Sequence, residues 1–104
     1  MSAPSTSGVY KEGAGFSVLI TIATVEQTGL VAGRTYEFAA HNGVAVVRWG
    51  AADATVADGG FDFSVPLGGV IRSVCPPGVT AVNIIEGNTL SDALAVCFIA
   101  EVEG

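Results

Sequence analysis

Positive charge is scarce in this chain: Lys11, Arg34, Arg48 and Arg72 are its only Lys or Arg residues, set against ten acidic residues for a net charge of −6. Phosphate binding draws on clustered Lys and Arg, so direct nucleic-acid binding and attachment to anionic membranes are both disfavoured. Long apolar runs are missing as well, since a bilayer span needs ~20 consecutive apolar residues. No basic segment followed by an apolar one opens the chain, so synthesis in a cytoplasm without a secretory signal is expected. Cysteine is limited to Cys75 and Cys97, too few for a disulfide framework and without the paired spacing of a zinc site. Their apolar flanks predict two buried free thiols.

The motifs of catalysis are missing too. The single histidine, His41, has no nucleophile and orienting carboxylate at a recognisable spacing. The glycine patterns that cradle phosphates and the strained serine elbow of hydrolases are absent. Asp58 and Asp62 in "ADGGFD" lack the alternating carboxylates of a calcium loop and read as a solvated turn. Glu101 and Glu103 sit at the chain end, where fraying is the simplest account. No enzyme activity, metal or cofactor is expected. A hydrolase survives only because β-sandwiches host many functions.

What is present is apolar. Half the residues are hydrophobic and 13% are charged, against ~25% charged in ordinary globular domains. Leaving out the tyrosines and counting the 14 glycines, the apolar share is about 62%, above the ~45–50% norm. A chain of 104 residues folds as one domain, and this one has too little polar surface to cover itself. That implies a partner.

The apolar residues alternate in short β-branched stretches separated by turn residues, with no helical period. Residues 1–15 read as a flexible arm and 16–104 as a single antiparallel β-sandwich or jelly roll of about 7–8 strands. "FSVLITIATV" is the first strand, with Phe16, Val18, Ile20 and Ile22 on one face. "EQTGLVAGRT" is a loop with room for a short pairing segment.

In "YEFAAHNGVAVVRWG", Asn42-Gly43 is the strongest short hairpin signal. It predicts a type I′ turn pairing Ala40 with Ala45, Phe38 with Val47, Tyr36 with Trp49 and Glu37 with Arg48. The aromatic side then faces the core, which places Trp49 in packing rather than in sugar stacking. "FDFSVPL" alternates with Phe61, Phe63 and Val65 inward. Val70–Cys75 forms a strand closed by the Pro76-Pro77-Gly78 turn, and "VTAVNIIEG" and "ALAVCFIAEVE" supply the last two. In that final strand Val96, Phe98 and Ala100 share one face, Ala95, Cys97 and Ile99 the other, and neither face is properly polar. Tyr10, Leu19, Glu37, Ala39, Val44, Val46 and Arg48 are the candidate protein-interface residues, being apolar positions framed by two charges on faces away from the core.

From Tyr36 onward, the succession "HNGVAVVRWG", "AADATVADGGF", "VPLGG", "VIRSVCPPGVTAVNIIEG" and "ALAVCFIAEVE" resembles small β-sandwich virion proteins of tailed bacteriophages. The likeness lies in a strand bearing an Arg and an aromatic, a small-residue loop, a proline-glycine turn and an apolar strand ending in Glu. It covers about two thirds of the chain and leaves out residues 1–35. The resemblance implies a capsid decoration or cement protein on the virion surface, a homotrimer bound to the major capsid protein. It also admits a head fibre or spike module that grips a glycan or host surface. It implies no catalytic residues.

Overall fold

The computed structural model of the chain describes residues 10–21, 23–56, 59–88 and 95–102, without the side chains of 10–14 and 88. Eight strands follow one another: β1 (Tyr10–Ile20), β2 (Val25–Thr28), β3 (Thr35–His41), β4 (Val44–Trp49), β5 (Phe63–Val65), β6 (Val70–Val74), β7 (Ala81–Asn88) and β8 (Ala95–Val102). They form two four-stranded sheets, β1-β8-β3-β6 and β2-β7-β4-β5, and every strand pairing is antiparallel.

The pairings have a simple origin. β1 lies beside β8, β2 beside β7, β3 beside β6 and β4 beside β5. The chain is therefore one long ribbon, out along β1–β4 and back along β5–β8, with its tip between β4 and β5. Rolling that ribbon up brings β3 against β8 and β4 against β7, which completes the strand order of an eight-stranded jelly roll.

This overturns the expected hairpin. β3 and β4 lie in different sheets, so Glu37 does not pair with Arg48, nor Phe38 with Val47. Asn42 does take the left-handed conformation, with φ 63°. It uses that conformation at a corner where the ribbon passes from one layer to the other. Rolling pairs both strands on both edges: β3 is flanked by β6 and β8, β4 by β5 and β7. A hairpin would leave those ladders unmade.

The assignment of faces survives the change. Tyr36, Phe38, Ala40, Ala45 and Val47 are all buried in the core, with Trp49 packed against it. The aromatic residues meet across the layers instead of along one sheet. Phe38 stands edge-on to Trp49 at 5.6 Å and to Phe63 at 5.1 Å between ring centroids, and Tyr36 lies 6.2 Å from Trp49. Such tilted and edge-on contacts add ~0.5–1.5 kcal/mol beyond burial. Trp49 Nε1 donates to Ser73 Oγ at 2.9 Å, tying β4 in one sheet to β6 in the other.

Other strand boundaries shift. Residues 10–15, expected within an unpaired arm, belong to β1, where Tyr10 lies opposite Val102 and Gly15 opposite Ala100 with an irregularity between them. Residues 1–9 lie outside the described residues. Val25 opens β2 instead of closing the first strand, and Phe61 is exposed ahead of β5. The Pro-Pro-Gly turn forms as expected. Val79 N donates to Pro76 O at 3.2 Å, and Gly78, with φ 76°, fills the position of a type II turn that requires positive φ.

Candidate functional site

Opposed residues in an antiparallel ladder share a face, so the registers map the outer surface of the first sheet as a grid. One row runs Ser17, Phe98, Ala39, Val70 across β1, β8, β3 and β6. The next runs Gly15, Ala100, Glu37, Arg72. Beyond the first lie Leu19, Val96 and His41, and beyond the second Thr35 beside Val74. Leu19, Phe98, Val70 and Val74 are 48–56% exposed. Glu37 and Arg72 are the charged pair at the centre of this apolar lattice.

Side-chain size shapes the surface. Ala39 and Ala100 are small, while Phe98 and Val70 stand up beside them, leaving an open recess of about 210 Å³ lined by Glu37, Ala39, Val70, Phe98 and Ala100. Glu37 points outward because its neighbours Tyr36 and Phe38 point inward, yet it is only 7% exposed. Its Oε2 accepts no hydrogen bond. Among the described residues Arg72 Nη2 stands 3.7 Å from it, close enough for attraction and too far for a hydrogen bond.

The structure divides the expected interface residues. Leu19, Glu37 and Ala39 lie together on this face. Val44, Val46 and Arg48 lie on β4 in the opposite sheet, and the Tyr10 side chain falls outside the described residues. Val46 is buried and unavailable to a partner. Arg48 is an anchor for the ribbon tip: its Nη1 donates to Asp53 O at 3.2 Å. Asn83, opposite Arg48 on β7, is buried and donates to Gly50 O at 2.9 Å, while its Oδ1 accepts from Thr24 Oγ1 at 3.3 Å. Ala54 N reaches the same Thr24 hydroxyl at 3.4 Å. The outer surface of the second sheet is thus partly occupied by the chain's own loop.

Phe98, Val70 and Val74 complete the exposed face and were not among the expected interface residues. The alternation of β8 carried the signal for Phe98, with Val96, Phe98 and Ala100 on one side. Composition could not say which apolar side faced out. The register with β3 settles it, because Ile99 lies opposite the fully buried Phe38.

The remaining candidates resolve as follows. Glu101 is a buried member of β8 and not a frayed end, and its Oε2 accepts from Arg34 Nη1 at 2.7 Å. That bond and the attraction behind it push the Arg34 guanidinium pKa further up. Asp62 accepts from Trp49 N at 2.7 Å, and Asp58 and Glu103 lie outside the described residues. Cys75 and Cys97 are buried and free. Burial raises the pKa of both thiols, that of Cys97 to about 12, and Cys75 Sγ contacts Val79 O at 3.2 Å. Among the described residues no group of three or more His, Cys, Asp or Glu is placed to hold a metal, and no helix is long and apolar enough to cross a membrane.

Comparison of the chain with family models, curated proteins and solved structures finds no match.

Proposed function

We propose that the chain is a non-catalytic structural protein that docks onto other protein surfaces through the outer face of its first sheet, and specifically that it decorates and cements a tailed-phage capsid as a homotrimer bound to the major capsid protein. The observation that carries this reading is the concentration of Leu19, Phe98, Val70 and Val74, each about half exposed, on one sheet face. Single exposed apolar residues are ordinary; a contiguous set marks an interaction surface.

The size of the face favours a repetitive partner. Four strands ~4.8 Å apart and about six residues long at ~3.3 Å each cover roughly 400 Å² in plan. A self-sufficient interface takes ~800 Å² from each partner. One such contact is weak alone, and a lattice that presents many copies to a multivalent protein makes it strong. Binding the assembled shell and not its alternatives would then stabilise the shell by mass action. The inward placement of Trp49 and Tyr36 counts against a glycan-stacking spike module.

The test is mass. Native mass measurement of the purified protein is expected to show trimers, and protein analysis of purified particles to find the chain at a fixed ratio to the major capsid protein. A stable monomer absent from such particles overturns the proposal.

A further inference from the structure

We infer that the recess centred on Glu37 receives a single lysine or arginine side chain from a partner protein. The inference rests on reading the outer face of the first sheet as a docking surface, and it names the chemistry of what docks there.

Two independent observations converge on that occupant. The first is shape: about 210 Å³ of open space walled by Ala39, Val70, Phe98 and Ala100, several times the ~30 Å³ share of one water molecule. That suits an aliphatic stem of several carbons. The second is the carboxylate among these apolar walls, more than nine-tenths buried, with an oxygen that accepts no hydrogen bond. Buried charges are ordinarily paired and hydrogen-bonded, and an unmade bond to a buried ion is costly. Among the described residues Arg72, on the neighbouring strand, is the cation beside it, and it stands off at 3.7 Å. A long cationic side chain satisfies both features at once. Its methylenes lie on apolar surface while its head donates to the free oxygen.

Charge points to a different protein as the source. A second copy of this chain carries the same net charge of −6. Of its four cations, Arg34 is bonded to Glu101, Arg48 to the carbonyl of Asp53, and Arg72 stands beside Glu37 itself, while the Lys11 side chain lies outside the described residues. A basic patch on another protein is attracted by the whole field of this molecule as well as by the recess.

The experiment titrates the full chain with n-butylguanidinium chloride, a stem and head of the inferred kind, and follows the Phe98 ring and the Ala39, Val70 and Ala100 methyls by NMR. Saturable shifts confined to these residues are expected, with none from butanol or butanesulfonate at equal concentration. Glu37→Gln is expected to weaken the probe about tenfold or more, the range for a hydrogen bond to a charged group. Ala39→Leu, which fills the recess and keeps the carboxylate, is expected to abolish the shifts. Absence of saturation, shifts centred on other acidic residues, or unchanged binding in either folded variant overturns the inference. Particle association tests the docking role separately: a chain that joins particles without binding the probe sinks only the recess, and a chain that binds the probe yet never joins particles sinks only the capsid reading.

Discussion

Two phenylalanines on neighbouring strands of one sheet offer a sharp check on which surface is core and which is the proposed docking face. Phe38 is fully buried, edge-on to Trp49 and Phe63, whereas Phe98 is 48% exposed beside Ala39. Truncating either to Ala removes roughly 150 Å² of ring surface, worth ~4 kcal/mol at ~25 cal/mol per Å² if it is all withdrawn from water. For Phe38 the whole sum is lost and a cavity is left between the layers, so Phe38→Ala is expected to cost ~3–5 kcal/mol. For Phe98 about half the area is at stake and no enclosed cavity forms, so the cost is ~1–2 kcal/mol at most, because denatured chains already bury some of that surface. At ~4–8 °C per kcal/mol for a domain of this size, Phe38→Ala lowers Tm by about 12–40 °C, or prevents folding if stability is near the low end of ~5–15 kcal/mol. Phe98→Ala lowers Tm by about 16 °C at most and is expected to impair binding at the proposed docking face. Urea and thermal melts of both variants measure this. Equal losses of stability would mean that Phe98 is covered by the chain itself and that the docking face is misplaced.

Stability is expected to fall in alkali. The Cys97 thiol, with its pKa moved from 9.0 to about 12 by burial, stays protonated in the folded state while the unfolded chain ionises, so its contribution is intact below pH 9 and is lost as pH rises towards 12. Near pH 10.5 the loss is about 1–2 kcal/mol, and Cys97→Ala should flatten the decline in urea midpoints; an unchanged slope refutes this assignment. Arg34→Ala leaves the buried Glu101 carboxylate without its 2.7 Å partner and is expected to lower Tm. Adding Glu101→Gln should restore part of the loss, since a buried charge that has lost a cationic partner costs more than a neutral amide, and strictly additive losses in that double-mutant cycle would show that the pair is not coupled.

Faces were legible in the amino-acid order and partners were not. Alternation in "YEFAA" and "AVVRW" depends only on the two-residue period of a strand, so the burial of Tyr36, Phe38, Ala45 and Val47 follows whichever strands lie alongside. Pairing is a longer-range choice. Asn42-Gly43 has the chemistry of a tight hairpin, and the Tyr36–Trp49 contact expected across it does exist at 6.2 Å, but it forms through the core between two sheets. A residue pair close in space is compatible with both topologies, and local propensity cannot separate them. β6, β7 and β8 decide the matter, and they lie thirty to sixty residues further along. The candidate site suffered from the same blindness. With β3 and β4 paired, Glu37, Ala39, Val44, Val46 and Arg48 would make one face; with the ribbon rolled, they fall on opposite sides of the molecule.

The rolled ribbon also explains why the excess of apolar residues collects where it does. A sandwich of two sheets has two outer faces, and this chain treats them differently. Over the second sheet the tip of the ribbon folds back, held by Arg48 on Asp53 and by Asn83 on Gly50, and Val46 is buried as a result of the packing around it. The first sheet has no such anchor among its described outward residues: its charged pair, Glu37 and Arg72, is not hydrogen-bonded together, and its apolar residues remain half exposed. Had the low charge content been needed only for folding, both outer faces could carry the polar alternation that keeps antiparallel sheets wet on one side. Retaining Leu19, Val70, Val74 and Phe98 half exposed on the open sheet costs solubility for little gain in folding, which is the placement expected of the docking face proposed above.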